Sequence, residues 1–425
     1  MDRLCIMKII RGFQDVLPEE MEKRRVCENR LREVFEKWGY QEIDTPTLEY
    51  YDYLVQGIGP ELRERMFKFL NPDGEIIVLR PDMTTPIARI AATKLGKKSQ
   101  NIHKFYYLNH VFRKVANNTE DQQEFHQAGI ELLGINNRLA DAEVIAVAIQ
   151  ALINAGLQKF YIDIGSASFF NSLMNQLPLI PEYKKELRKT IMNKDFVLLE
   201  KLMSQYNMSR QDRDTILQLP HLRGDESVLE EAEQTFKKNN ITARLALQEV
   251  KEVYQYLKMY GLERYIIIDL GIIRNFDYYS GIVFEGYTGY MGSPICGGGR
   301  YDYLCQKFGK DIPSTGVAIG IEKLGRVLSQ ENKTDKQPLD RRKYLIRYQK
   351  DLIKLAFKLA EKLRKIDNIV ELQLEIEHTE EQTVQYALDK KIRYLIDFQS
   401  SDLNQLVRYD LETKQKEKDC YGERE

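Results

Sequence analysis

Residues 105–134, FYYLNHVFRKVANNTEDQQEFHQAGIELLG, decide how the rest of the chain is read. Phe105 to Phe112 and Phe125 to Leu133 are apolar-patterned strands, joined by a polar loop rich in Asn, Glu and Asp, which is the signature of a β-hairpin. The first strand ends at Arg113. Gln127 and Glu131 stand four apart on the second, and because side chains alternate across a strand they share one face. A guanidinium, an amide and a carboxylate are therefore expected on one platform. That platform is either a ligand site or the solvated face of an ordinary amphipathic hairpin.

Around this hairpin lie 425 residues, enough for two or three domains with substantial cores. A content of 43% hydrophobic and 30% charged residues is that of a soluble globular protein. Sixty-three basic against sixty-four acidic residues leave a net charge of −1, so no global field draws in nucleic acid. No apolar run is long enough to span a bilayer, and the N-terminal MDRLCIMKII is too short in its apolar part for a signal peptide. The expected location is the cytoplasm. Cys5, Cys27, Cys296, Cys305 and Cys420 form no CxxC pair and the five histidines no HxH or HExxH, so neither a metal site nor a disulfide framework is expected.

In chain order, Pro18 to Trp38 reads as an amphipathic helix stopped by Gly39, followed by a short strand at Tyr40 to Ile43. Met66 to Phe69 and Ile76 to Leu79 flank Asn71-Pro72-Asp73-Gly74, a strong turn signal, and lead through Arg80-Pro81-Asp82-Met83-Thr84 into a helix. After the central hairpin come a helix from Ala140 to Ala155 closed by Gly156 and a strand at Tyr161 to Ile164. From about 169 to 261 charged segments of helical period dominate, which predicts a helical insertion. Strands resume at Tyr265. Three successive glycines, Gly297 to Gly299, let the backbone approach a ligand or another strand closely. Gly316 to Leu324 passes from strand to helix and closes a core of residues 1–328. A linker, 329–338, precedes a small α/β domain, 339–425, whose last residues from Lys414 onward are expected to fray.

Arg11-Gly12 with Pro18, Leu79 to Thr84, Phe112-Arg113, Phe125-His126-Gln127, Arg274 with Asp277-Tyr278-Tyr279, and Gly298-Gly299-Arg300-Tyr301-Asp302 together resemble the motifs of class II aminoacyl-tRNA synthetases, specifically the histidyl enzyme. The resemblance covers nearly the whole chain. It implies an α+β fold: a six- or seven-stranded antiparallel sheet with flanking helices, a helical insertion, a small C-terminal α/β domain like a shortened anticodon-binding domain, and a homodimer formed through the N-terminal helix region. It also implies histidine-binding roles for Asp82, Thr84, Arg113, Gln127, Glu131, Arg274, Tyr278 and Tyr279.

The nucleotide half departs from the synthetase pattern. Val115 stands where those enzymes place an adenine-contacting Glu, and Asp121 and Gln123 where arginines hold ATP phosphates. Opposite charges about 4 Å apart at an effective dielectric near 20 exchange roughly 4 kcal/mol, so Asp for Arg turns attraction into repulsion. Lys323 replaces an Arg that stacks on adenine, and Lys lacks the planar fork for that contact.

A retained amino-acid pocket with a lost nucleotide site resembles the regulatory-subunit family of ATP phosphoribosyltransferase. That resemblance implies a chain without catalysis or cofactors of its own. It would partner a short catalytic subunit in a hetero-octamer, be required for activity in the first step of histidine biosynthesis, and convey feedback inhibition by L-histidine. Family members often end soon after the core, so the tail is a departure. The alternative is an active histidyl-tRNA synthetase, favoured by the tail, Arg113 and Arg274. The tail's basic residues, Arg341, Arg342, Lys343, Lys390 and Lys391, read as solvated surface, so tRNA binding is not expected.

Overall fold

A computed structural model of the chain describes residues 8–95, 102–114, 122–193, 195–206, 208–236, 240–272, 278–331, 342–374, 378–398 and 406–418. The chain divides into two units, Met1–Thr334 and Asp335–Glu425.

The first unit begins with α1 (Pro18–Lys37), which has Pro and acids in its first turn and buries Cys27, Leu31, Val34 and Phe35 along one stripe. β1 (Gln41–Glu42), β2 (Leu48–Tyr50), α2 (Tyr51–Leu54), α3 (Pro60–Glu64), β3 (Lys68–Leu70), β4 (Ile76–Leu79) and α4 (Thr84–Thr93) follow. The predicted turn joins β3 and β4 antiparallel. In it Asn71 accepts the N–H groups of Asp73 and Glu75, and Gly74 takes the left-handed conformation at φ +80°. β2 completes a three-stranded sheet.

The central hairpin is β5 (His103–Phe112) with β6 (Glu124–Leu133). Next comes α5 (Arg138–Ala155), whose start is capped by Asn137 accepting the Ala140 N–H at 3.0 Å and whose end is turned by Gly156 at φ +106°. This helix is apolar nearly all round, and it is correspondingly buried. β7 (Phe160–Ser166) leads into the insertion: α6 (Ala167–Gln176), α7 (Pro181–Met192), α8 (Phe196–Gln205), α9 (Arg210–Gln218), β8 (Arg223–Gly224), α10 (Ser227–Phe236) and α11 (Ile241–Met259). β9 (Ile266–Asp269), β10 (Ile282–Thr288), β11 (Met291–Arg300), β12 (Ser314–Gly320) and α12 (Ile321–Gln330) close the unit.

The main sheet runs β1-β5-β6-β12-β11-β10-β7-β9-β8. Its six central strands, from β5 to β7 in that order, are antiparallel throughout, which is the sheet the sequence leads one to expect. β1 and β9 add parallel to either side, so the whole sheet is mixed. One face carries Tyr106, Ile130, Phe284 and Ile319 into the main core against α1, α5, α11 and α12. The other face is covered toward β5 by α4, around Met83, Ile87 and Tyr107. Beyond α4 it presents Glu131 and a run of glycines.

The three successive glycines lie inside β11. A β-carbon on Gly298 would collide with the carbonyl of Gly316 on β12 and come within 2.8 Å of the Phe284 ring, so the glycine allows the close approach to another strand that the sequence suggests.

The second unit contains β13 (Lys343–Tyr348), α13 (Ile353–Lys365), β14 (Ile369–Leu372), α14 (Glu380–Asp389), β15 (Tyr394–Phe398), β16 (Val407–Asp410) and β17 (Gln415–Lys418) in a five-stranded sheet ordered β14-β13-β15-β16-β17. Fraying from Lys414 is corrected here. Asp410 accepts the N–H groups of Glu412 and Thr413, Lys414 turns at φ +59°, and Gln415 to Lys418 pair antiparallel with β16. A side-chain-stabilised turn has converted a charged tail segment into an edge strand, which its lysines suit.

Candidate functional site

The register of the hairpin sets the platform. Phe105 lies opposite Glu131, Tyr107 opposite Gly129 and Asn109 opposite Gln127, so Gln127 and Glu131 do share a face, as their spacing requires. On the other side of β6, Gly316 lies opposite Glu131 and Gly320 opposite Gln127.

Glu131 is the centre of the arrangement, 1% exposed. Thr84, at the start of α4, donates its hydroxyl to Oε1 at 2.7 Å, and the Tyr301 hydroxyl donates to Oε2. Burial pushes its carboxyl up to about 8, against the pull of the Tyr301 and Thr84 hydrogen bonds and with a further push from the charge of Asp82. Asp82 is itself buried, and its oxygens accept the N–H and hydroxyl of Thr85 at 3.1 and 3.2 Å. Burial raises it too, offset by Arg113 and the Thr85 hydrogen bonds. Two desolvated carboxyls within Coulombic reach of each other favour a cationic guest, since a positive charge between them relieves both penalties.

Arg113 supplies the opposite charge. Its Nε donates to the Pro81 carbonyl at 2.7 Å and its guanidinium lies over the Phe125 ring, 5.1 Å from the centroid. Tyr278 and Tyr279 contact each other at 4.9 Å between centroids, and Tyr278 meets Tyr301 edge-on at 5.8 Å. Gln127 is half-buried one strand-repeat beyond Gly129. Thr84 and Tyr301 thus meet at Glu131, Tyr278 and Tyr279 follow on from Tyr301, and Arg113 lies within Coulombic reach of Asp82, while Gln127 shares the Glu131 face and Arg274 lies outside the described residues.

Two further residues belong to the site and escaped the sequence reading. Tyr301 was legible only as part of a glycine-rich motif, yet it reaches Glu131 from 170 positions along the chain. Tyr107 is fully buried, and after burial its hydroxyl is held un-ionised chiefly by the nearby charges of Glu131 and Asp82. Its ring occupies the space that any side chain on Gly129 would need. A tyrosine opposite a glycine in a predicted hairpin is the signal that could have found it.

Other motif residues prove to be structural. Arg300 is buried, pairing through Nε with Asp141 and through Nη1 with Asp302, each at 2.9 Å, and donating to the carbonyls of Ile135 and Asn137. Arg80 donates to the carbonyls of His110 and Thr45 and to Asp44. Both arginines tie loops to the sheet. Among the described residues no group of His, Cys, Asp and Glu is arranged to hold a metal ion, and no helix is long and apolar enough to cross a membrane.

At two of the positions where the synthetase resemblance implies nucleotide contacts, the side chains are bonded within the protein. Gln123 donates to the Arg11 carbonyl at 2.7 Å and its backbone is bonded to Gly12 and Arg113. Lys323 donates to Ser293 Oγ at 3.1 Å and to the Pro294 carbonyl at 3.0 Å. Val115 and Asp121, the other two departures, lie outside the described residues.

Comparison with known proteins identifies the family. A family model described as histidyl-tRNA synthetase matches residues 12–324. Curated proteins named ATP phosphoribosyltransferase regulatory subunit are similar over most of the chain. That of Acetivibrio thermocellus is 38% identical over 363 residues, 85% of this chain and 86% of the relative. That of Ruminiclostridium cellulolyticum is 38% identical over 403 residues, 94% of each. Among solved structures, one described as an ATP phosphoribosyltransferase regulatory subunit/histidyl-tRNA synthetase from Bacillus halodurans superposes with a TM-score of 0.82 at 31% identity, covering 94% of this chain and all of that one.

Proposed function

We propose, from the premise that this chain belongs to the ATP phosphoribosyltransferase regulatory-subunit family within the histidyl-tRNA synthetase fold, that it performs no catalysis itself, is required by a short catalytic subunit, and makes that subunit responsive to histidine. The observation that carries this reading is the unequal state of the two half-sites. The amino-acid half keeps two buried carboxyls, a guanidinium and aromatic walls around Glu131, while at the nucleotide half Gln123 and Lys323 are bonded to the protein's own backbone.

In this reading Asp82 and Glu131 receive the cationic groups of histidine and Arg113 its carboxylate, with Thr84, Gln127, Arg274, Tyr278 and Tyr279 completing the pocket. Histidine can then shift the assembly only if the pocket differs between an active and an inhibited arrangement, because a ligand moves an equilibrium through differential affinity alone. The assembly proposed is a hetero-octamer of four regulatory and four catalytic chains in the cytoplasm, with the regulatory chains paired as homodimers.

The test is reconstitution. Mixed with a short catalytic subunit, the chain should switch on phosphoribosyl transfer to ATP, and histidine should suppress it; the Glu131→Ala chain should still activate but lose the histidine response. Activation that ignores histidine in the unmodified complex would overturn the histidine response, and inhibition untouched by Glu131→Ala would place the effector site elsewhere. Histidine-dependent exchange between pyrophosphate and ATP by the chain alone would make it a synthetase instead.

A further inference from the structure

A cavity of about 780 Å³ opens between the insertion and the segment from Gln56 to Arg63. On the insertion side its wall is one face of α6, where Ser168, Asn171, Ser172, Asn175 and Gln176 recur at three- and four-residue spacing. A helix face packed on a neighbour is normally apolar, and one facing bulk water normally charged. This face is neither, and a stripe of hydroxyls and amides is what a hydroxyl-rich ligand requires.

Several of these groups are held in place. Arg188 donates to Asn171 Oδ1 at 2.7 Å, which leaves the amide N–H group to donate elsewhere, and Asn240 donates to Ser172 Oγ at 3.3 Å. The facing wall adds the rings of Tyr278, Tyr279 and Tyr303. Positive charge comes from Lys307, which is exposed, and from Arg63, whose guanidinium is fixed by the carbonyls of Ile58 and Val55 at 2.7 Å each. No carboxylate is among the described residues of the lining.

This is the reverse of the neighbouring Glu131 pocket, whose buried carboxyls suit a cation. Amide and hydroxyl donors fit sugar hydroxyls, tyrosine rings fit the apolar faces of a ring, and the two cations fit phosphate. We infer that the cavity beside α6 is a second small-molecule site, for a phosphorylated sugar or the sugar-phosphate part of a nucleotide. The two sites adjoin. Tyr278 and Tyr279 line both, and the cavity wall at Gly57 packs so closely on Thr85, the partner of Asp82, that a β-carbon there would come within 2.8 Å of the Thr85 methyl.

The inference goes beyond the histidine reading and fails separately from it. Calorimetric titration of the full chain with ribose 5-phosphate, ribose and inorganic phosphate tests it. Ribose 5-phosphate is expected to bind saturably and more tightly than either component. Lys307→Ala, at an exposed position that does not endanger folding, should weaken it about tenfold, as loss of one charge-assisted contact does. Asn171→Ala should weaken it as well, with a melting curve to establish that the variant is folded. Glu131→Gln, which disables the proposed histidine pocket, should leave this binding within about twofold, since Glu131 is not among the residues that line the cavity. Absence of saturable binding, binding no tighter than that of inorganic phosphate, or binding unchanged by Lys307→Ala and a folded Asn171→Ala chain would overturn the assignment. So would its loss with Glu131→Gln, which would make the two cavities one site.

Discussion

Gly316 stands directly opposite Glu131 on the neighbouring strand, and the missing side chain at Gly316 is what gives the Glu131 carboxylate its place. A β-carbon built on Gly316 would collide with Oε2 and also press to 2.7 Å from the Ile130 carbonyl. The pocket thus depends on an absence as much as on its carboxyls.

Gly316→Ala should therefore displace Glu131 from Tyr301 and Thr84. The expected cost is about 1–3 kcal/mol of stability, the usual range for overpacking, together with loss of the proposed histidine binding. Thermal unfolding and a histidine titration of the same preparation check both.

The buried carboxyl of Glu131 predicts a pH dependence of definite sign. Its proton leaves near pH 4.5 in the unfolded chain but is held to about 8 in the folded one. Between these values the folded state binds more protons, so this group's contribution to stability falls as pH rises and levels off above 8. Glu131→Gln removes that slope. Measured by urea unfolding from pH 4.5 to 8, the variant's stability relative to the parent should rise steadily, by on the order of a few kcal/mol.

His110 should act in the opposite direction. It stacks on His126 at 4.4 Å, and burial, aided by the charges of His126, Arg24 and Arg80, pushes it down to about 4. Between pH 6.5 and 4 the unfolded chain takes up a proton that the folded chain refuses, so stability present above 6.5 is lost as pH falls through this window. His110→Gln should flatten the melting temperature over that interval relative to the parent.

Arg300 is fully buried between Asp141 and Asp302. Arg300→Met should cost about 3–5 kcal/mol by leaving Asp141 uncompensated in the interior, and adding Asp141→Leu should return part of that loss. Urea unfolding of the two single variants and the double variant gives the coupling. The result would separate the structural role of this motif arginine from any role at the pocket.

What the sequence determined by itself was local. Strict alternation along Phe125 to Leu133 placed Gln127 and Glu131 on one face, because a strand's side-chain period is two regardless of what it packs against. The turn at Asn71 to Gly74 and the caps of α5 were equally legible, since each is satisfied by residues a few positions away. The resemblance carried by its motifs points to the family from the sequence alone. What only the tertiary structure decided was everything that depends on register and burial. It brought Tyr301 to Glu131 across 170 residues, set Gly316 and Gly129 as the spaces that Glu131 and Tyr107 fill, and put the glycine run inside β11 where a turn was equally consistent with the sequence. The raised carboxyl of Glu131 is of the same kind, since desolvation is imposed by neighbours that are distant along the chain. Pairing and solvent exclusion are properties of the assembled sheet, and no window of sequence contains them.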